Sequence, residues 1–173
     1  MLILVVTLLR LLIPLLIFRY FSIGFIASFF LDAVDLDIIQ FFGGRIFPSY
    51  QFWDKTLDTY YLSIAMLFSL SWKNELARQS SVILFFYRVI GVVLFVVTGY
   101  RALLFFFPNL FEFFFIFYLL YLHFFKTDPI YSLKNLMIIL VILLIPKLVQ
   151  EYILHFAQLH FWEWFSFLKL FPH

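Results

Sequence analysis

Apolar runs of roughly membrane-crossing length recur along the chain, separated by short polar punctuation. They cover about residues 2–19, 21–41, 51–72, 82–99, 103–125 and 133–156. A bilayer core about 30 Å thick needs roughly 20 helical residues to cross it. The pattern therefore predicts an all-α polytopic membrane protein with six transmembrane helices, organised as one domain over residues 1–173. The longest polar stretch, residues 73–81 (KNELARQSS), predicts a loop. Lys126-Thr127-Asp128-Pro129 predicts a turn, because proline disfavours helix at the residue before it. The tail, residues 157–173, mixes Trp162, Trp164 and phenylalanines with Glu163 and Lys169, which suits an interfacial helix with an aromatic belt.

Composition sharpens the picture. The chain is 65% hydrophobic and 13% charged, against roughly 45–50% apolar and about 25% charged in a soluble domain. So little polar surface cannot wrap a water-facing exterior. The formal net charge is +2 with no basic run or face, so nothing supports a nucleic-acid partner. No cysteine is present, hence no disulfide, thiolate nucleophile or cysteine metal site. The first run lacks a basic segment before it and a small-residue cleavage site after it, so it reads as a retained helix. The 28 phenylalanines, spread through the spans, read as lipid-facing filler. Loop charges mildly oppose a cytoplasmic N-terminus. Arg19, Lys73, Arg78, Lys126 and Lys134 would then lie outside, with Arg45, Arg101 and Lys169 inside.

Against this background the carboxylates stand out. Asp32, Asp35, Asp37, Asp54 and Asp58 make up five of the ten acidic residues. An aspartate at mid-membrane costs about 2.5–3.5 kcal/mol on insertion scales. Asp32 and Asp35, three apart, share a face of the second span; Asp54 and Asp58, four apart, share a face of the third; Asp37 points away. A short loop through Gly43-Gly44 joins the two spans, so both pairs lie near one membrane surface and can converge. Close like charges raise each other's pKa or bind cations, and oxygen-only ligands suit Mg²⁺, Mn²⁺ or Ca²⁺. Gly24 and Ser28 lie on the face leading to Asp32 and Asp35, small residues that allow a close helix approach. The first span carries Thr7, Arg10 and Pro14 on one stripe, and an arginine there requires an anion, either a carboxylate or a phosphate. The plain structural reading pairs the aspartates with Arg10, Arg45 and Lys55.

Other ionisable residues fall inside the spans. Arg88 in the fourth and Glu112 in the fifth are functional candidates by position, Arg88 as a contact for an acceptor or lipid phosphate. Pro108 and Pro146 are expected to kink their helices. His123, His155, His160 and His173 show no ligand spacing and read as interfacial or tail residues.

These residues together resemble the CDP-alcohol phosphatidyltransferases, six-helix membrane enzymes of phospholipid synthesis. The family signature reads D-x-x-D-G-x-x-A-R, eight or nine residues, then G-x-x-x-D-x-x-x-D. Asp32-Ala-Val-Asp35 fills the first pair, Asp54-Lys-Thr-Leu-Asp58 the second, and the nine residues 41–49 keep them in register. Thr7-Leu-Leu-Arg10 with Pro14 is similar to the family's first helix. The resemblance implies that Asp32, Asp35 and Asp54 hold two divalent ions, Mg²⁺ or Mn²⁺. Asp58 would complete that carboxylate set and serve as general base toward an alcohol acceptor. It also implies a CDP-linked lipid or head-group donor, phosphate contacts from Arg10 and Arg88, a cytoplasmic active site and a homodimer. In the slots that form the family's nucleotide cradle stand Leu36 for glycine, Ile39 and Gln40 for Ala-Arg, and Tyr50 for glycine. These bulkier side chains crowd a cytidine diphosphate. They motivate a second reading, a non-catalytic descendant of the fold that binds lipid or a partner protein. A third reading, an ion or proton pathway, follows from membrane carboxylates in general.

Overall fold

In the computed structural model the described residues are 2–42 and 50–152. Their regular structure is entirely helical: α1 (Leu2–Leu12) continued by a 3-10 helix (Ile13–Phe18), α2 (Phe21–Phe41), α3 (Tyr50–Ser69), α4 (Glu75–Thr98), α5 (Ala102–Phe106), α6 (Leu110–Phe125) and α7 (Leu133–Tyr152). Three helical stretches are long and apolar enough to cross a membrane: α4, the pair α5–α6 taken together, and α7. The first helix, Leu2–Phe18, is apolar but shorter. Helices α2 and α3 have comparable length, 21 and 20 residues, and carry the aspartates. The Gly43-Gly44 loop with Arg45, the Gln40 side chain, and the tail with His155, His160, Trp162, Trp164, Lys169 and His173 lie outside the described residues.

Pro14 enters the 3-10 helix at its start, where a missing N–H costs least. Leu11, at the junction, gives its carbonyl to the Tyr60 hydroxyl at 3.0 Å, tying α1 to α3. Helix α2 then turns back against the 3-10 helix at Gly24. A Cβ at that position would run into the backbone of Leu16 and Ile17, so only glycine permits this approach. Ser28, one turn on, is buried and returns its hydroxyl to the Gly24 carbonyl at 2.7 Å. The expected tight face of the second span is thus present.

Two sequence expectations are corrected. Residues 73–81 are not a loop, because residues 75–81 form the first turns of α4. Asn74 caps that helix by accepting from the Ala77 N–H at 3.1 Å. Glu75 occupies the first turn and takes a hydrogen bond from Gln79 at 2.7 Å. Ser81 turns inward onto Ser69 at 2.7 Å. The polar residues there are cap, first turn and buried seam.

Nor are the phenylalanines all lipid-facing filler. Phe25, Phe111, Phe114 and Phe115 have no solvent-exposed surface and form, with Tyr61, Trp72 and Tyr118, the main core. Their rings sit at aromatic packing distances, 4.4 Å for Phe25–Phe115 and 4.3 Å for Trp72–Tyr118. Others, including Phe30, Phe86 and Phe124, do face outward. Helix α7 runs on through Pro146 and turns Met137, Val141, Ile145 and Val149 outward.

Candidate functional site

The four aspartates of the expected pairs come together, and they do so around Arg10. Its place on α1 is fixed by the packing of Val6 with Ile39 and Tyr50, which buries the same helix face. The guanidinium reaches every carboxylate of the set. Nη1 donates to Asp35 and, at 2.9 Å, to Asp54; Nη2 donates to Asp32 and, at 2.9 Å, to Asp58. Lys55 closes the ring from α3, its ammonium 2.7 Å from Asp54 and 2.8 Å from Asp58. Tyr50 donates its hydroxyl to the remaining oxygen of Asp35 at 3.0 Å. The Trp53 ring lies 5.5 Å from the guanidinium carbon, within cation–π range.

The spacing of the aspartates explains this convergence. Residues three or four apart on a helix stack on one face. Two such pairs on α2 and α3 therefore present four carboxylates to one strip between the helices, and Arg10 on α1 enters it. One oxygen from each of Asp32, Asp54 and Asp58 lies within 4.8 Å of the others, a spacing that can hold a metal ion. Asp35 stands slightly apart, with its oxygens on Arg10 and Tyr50. The ring is not sealed. Asp32 and Asp54 keep 23% and 18% of their side-chain surface, while Asp35 and Asp58 keep 3% and 6%. The open edge is therefore Asp32, Asp54 and Lys55. Four carboxylates against one guanidinium and one ammonium leave two negative charges in excess.

A hard divalent cation fits this donor set in chemistry and charge. The guanidinium, however, occupies one oxygen of each of these three aspartates, and Lys55 takes the other on Asp54 and Asp58, so an ion bound by the set competes with both side chains. Of the four residues expected to replace the nucleotide cradle, the three with described side chains pack inside the protein. Ile39 is buried, Leu36 packs into the small cluster around Val6, and Tyr50 is buried with its hydroxyl on Asp35.

Arg88 is not part of this ring. It belongs to a second buried cluster with Glu112, Lys147, Glu151 and Asn109. Its Nη1 donates to the Phe107 and Leu104 carbonyls at 2.8 and 3.3 Å, where Pro108 interrupts the helix, and lies 4.0 Å from Glu151. Lys147 lies 3.4 Å from both Glu112 and Glu151. Lys147, Glu151 and Asn109 escaped the sequence reading. The signal was available: Lys147 and Glu151 are an oppositely charged pair four apart inside an apolar run that faces another run bearing Glu112. By its place in the sequence pattern Tyr50 is only an obstruction; its hydrogen bond to Asp35 is a tertiary contact that spacing does not encode. His123 is exposed in the last turn of α6.

No family model, curated protein or solved structure matches this chain.

Proposed function

We propose that this chain is a six-span membrane protein with a CDP-alcohol phosphatidyltransferase-like site, binding a divalent cation and transferring a phosphoryl-linked lipid or head group from a CDP-linked donor to an alcohol. The observation that carries the reading is the convergence of Asp32, Asp54 and Asp58, with Asp35 beside them, from two neighbouring helices. Carboxylates within membrane helices are costly and mark functional sites by default, and four of them meet here. With Arg10 displaced, four carboxylates against Lys55 leave three negative charges, enough to attract a divalent ion. Asp32, Asp54 and Asp58 would hold it, Mg²⁺ or Mn²⁺ by donor chemistry. Bound there, such an ion stabilises charge on a phosphoryl group and its leaving nucleotide. Arg10, displaced from the ring, remains at hand for a phosphate. Asp58, whose two oxygens accept from Arg10 and Lys55, is the carboxylate to which the family resemblance gives the base role.

One set of contacts favours a second reading, a non-catalytic relative that binds lipid or a partner. Arg10 alone engages all four aspartates, and Leu36, Ile39 and Tyr50 fill the cradle slots. Titration calorimetry with Mn²⁺ on purified protein separates the readings at the first step. The proposal expects saturable binding to the wild type that Asp54→Ala abolishes; no binding to either protein defeats it. A transferase assay with CDP-diacylglycerol and small alcohols then decides between enzyme and relative, since turnover rules the second reading out.

A further inference from the structure

The three helical stretches long and apolar enough to cross a membrane are the ones that carry the second buried cluster: Arg88 on α4, Glu112 on α6, and Lys147 and Glu151 on α7. At its centre two side chains are already joined. The Asn109 amide donates from Nδ2 to Glu112 Oε2 at 3.2 Å. The other oxygen of each, Asn109 Oδ1 and Glu112 Oε1, is buried and has no hydrogen-bond partner. Both residues are about 95% buried. Two orphaned acceptors in an apolar interior are costly, and native structures rarely leave them so.

Both orphans are acceptors, and they sit on the two groups that Nδ2 already links. A carboxylic acid facing a primary amide forms a cyclic pair, with amide N–H to one acid oxygen and acid O–H to the amide oxygen. Here the first of those bonds is made, and the two oxygens that the second would join are the two orphans. A protonated carboxyl is a donor as well as an acceptor. One proton therefore satisfies both orphans.

We propose that Glu112 is a buried proton-binding site, held as a carboxylic acid whose O–H donates to the Asn109 side-chain oxygen. The step is the addition of one proton from water to the Glu112 carboxylate, with no redox change and no leaving group. The neighbouring charges accommodate it. Arg88 of α4 is engaged with the Leu104 and Phe107 carbonyls. From α7, Lys147 is shared among Glu112, Glu151 and Gln150, and Glu151 also accepts the Asn109 backbone N–H at 3.1 Å. Asp58 of α3 is within electrostatic range and is paired with Arg10 and Lys55. Helix α2 meets α6 through the rings of Phe25 and Phe115. With Glu112 neutral, Arg88 and Lys147 face Glu151 alone. That leaves a positive surplus beside the carboxylate ring, whose own surplus is negative. The site does not depend on the transferase reading.

Infrared difference spectroscopy of the full chain in vesicles tests it. The wild type at neutral pH is expected to show a protonated-carboxyl C=O stretching band that Glu112→Gln removes. Glutamine keeps the cyclic pair, donating Nε2–H to Asn109 Oδ1, so this variant is expected to unfold at or above the wild-type temperature. Asn109→Leu removes the partner and is expected to move the band to higher frequency. A wild-type spectrum from which Glu112→Gln removes no such band overturns the assignment, and so does a band that Asn109→Leu leaves unmoved. Should Glu112→Gln fail to fold, the Asn109→Leu shift alone decides.

Discussion

At the scale of single residues, Arg10 organises the candidate site, because one planar group with paired donors touches four carboxylates from two helices. A lysine presents a point charge and cannot reach four oxygens in that fan. Removing one partner of a buried ion pair costs about 3–5 kcal/mol, since the other is left uncompensated. Arg10→Leu leaves Asp35 with Tyr50 and Asp58 with Lys55, and the partial exposure of Asp32 and Asp54 lowers the penalty. We expect a loss of about 3 kcal/mol in stability, read as a lower unfolding temperature in detergent. The same variant frees one oxygen on each of the three aspartates that would hold a divalent ion. Mn²⁺ should therefore raise the unfolding temperature of Arg10→Leu by more than it raises that of the wild type. An equal or absent response in the variant would count against ion binding by this ring. The same-face aspartate pairs were legible because helical spacing is local, whereas the meeting of Arg10 with Asp58, 48 positions on, is a tertiary fact. Its need for an anion could be read from the sequence, but not which of the two kinds it found.

At the scale of elements, polar residues mark helix ends more reliably than loops. Asn74 does two jobs: its oxygen caps α4 through the Ala77 N–H, and its Nδ2 donates to the Ile130 carbonyl at 2.6 Å. Asn74→Ala should cost about 1 kcal/mol for the cap alone, and more with the Ile130 bond. Asn74→Asp retains the acceptor and loses only the donor, so it should cost less than alanine. Thermal unfolding of the two variants side by side checks the order, and an aspartate variant as unstable as the alanine one would remove the cap from the explanation. The hydropathy pattern located the helices, since each run needs only its own residues. It misjudged residues 73–81 because a capped polar turn and a polar loop have the same composition. It treated phenylalanine as uniform because an apolar side chain satisfies lipid and core alike. Only the packing of α2 on α6 distinguishes Phe25 and Phe115 from Phe30 or Phe124.

At the scale of the whole molecule, two contacts set levels along the bundle. With its amide turned so that the oxygen faces Arg101, Gln51 accepts from Nη2 at 2.8 Å, bringing the start of α3 beside the end of α4. Asn74 bonded to Ile130 brings the start of α4 beside the turn after α6. Helices α3, α4 and α5–α6 thus alternate in direction between two levels. The natural absence of cysteine makes the membrane topology directly testable, because any introduced thiol is unique. Single cysteines at Lys73 and Lys126, both exposed, should react with a membrane-impermeant maleimide from one side of sealed vesicles, and a cysteine at Tyr100 from the other. These three positions test the apolar helices. Two more test the aspartate-bearing ones: Arg19→Cys should label with the first group and Phe42→Cys with Tyr100→Cys if six spans cross. Labelling of Arg19→Cys and Phe42→Cys from the same side would mean that α2 does not cross. Asp32 and Asp35 would then escape the cost of the bilayer, and with that cost would go the reason to read the four carboxylates as a functional site.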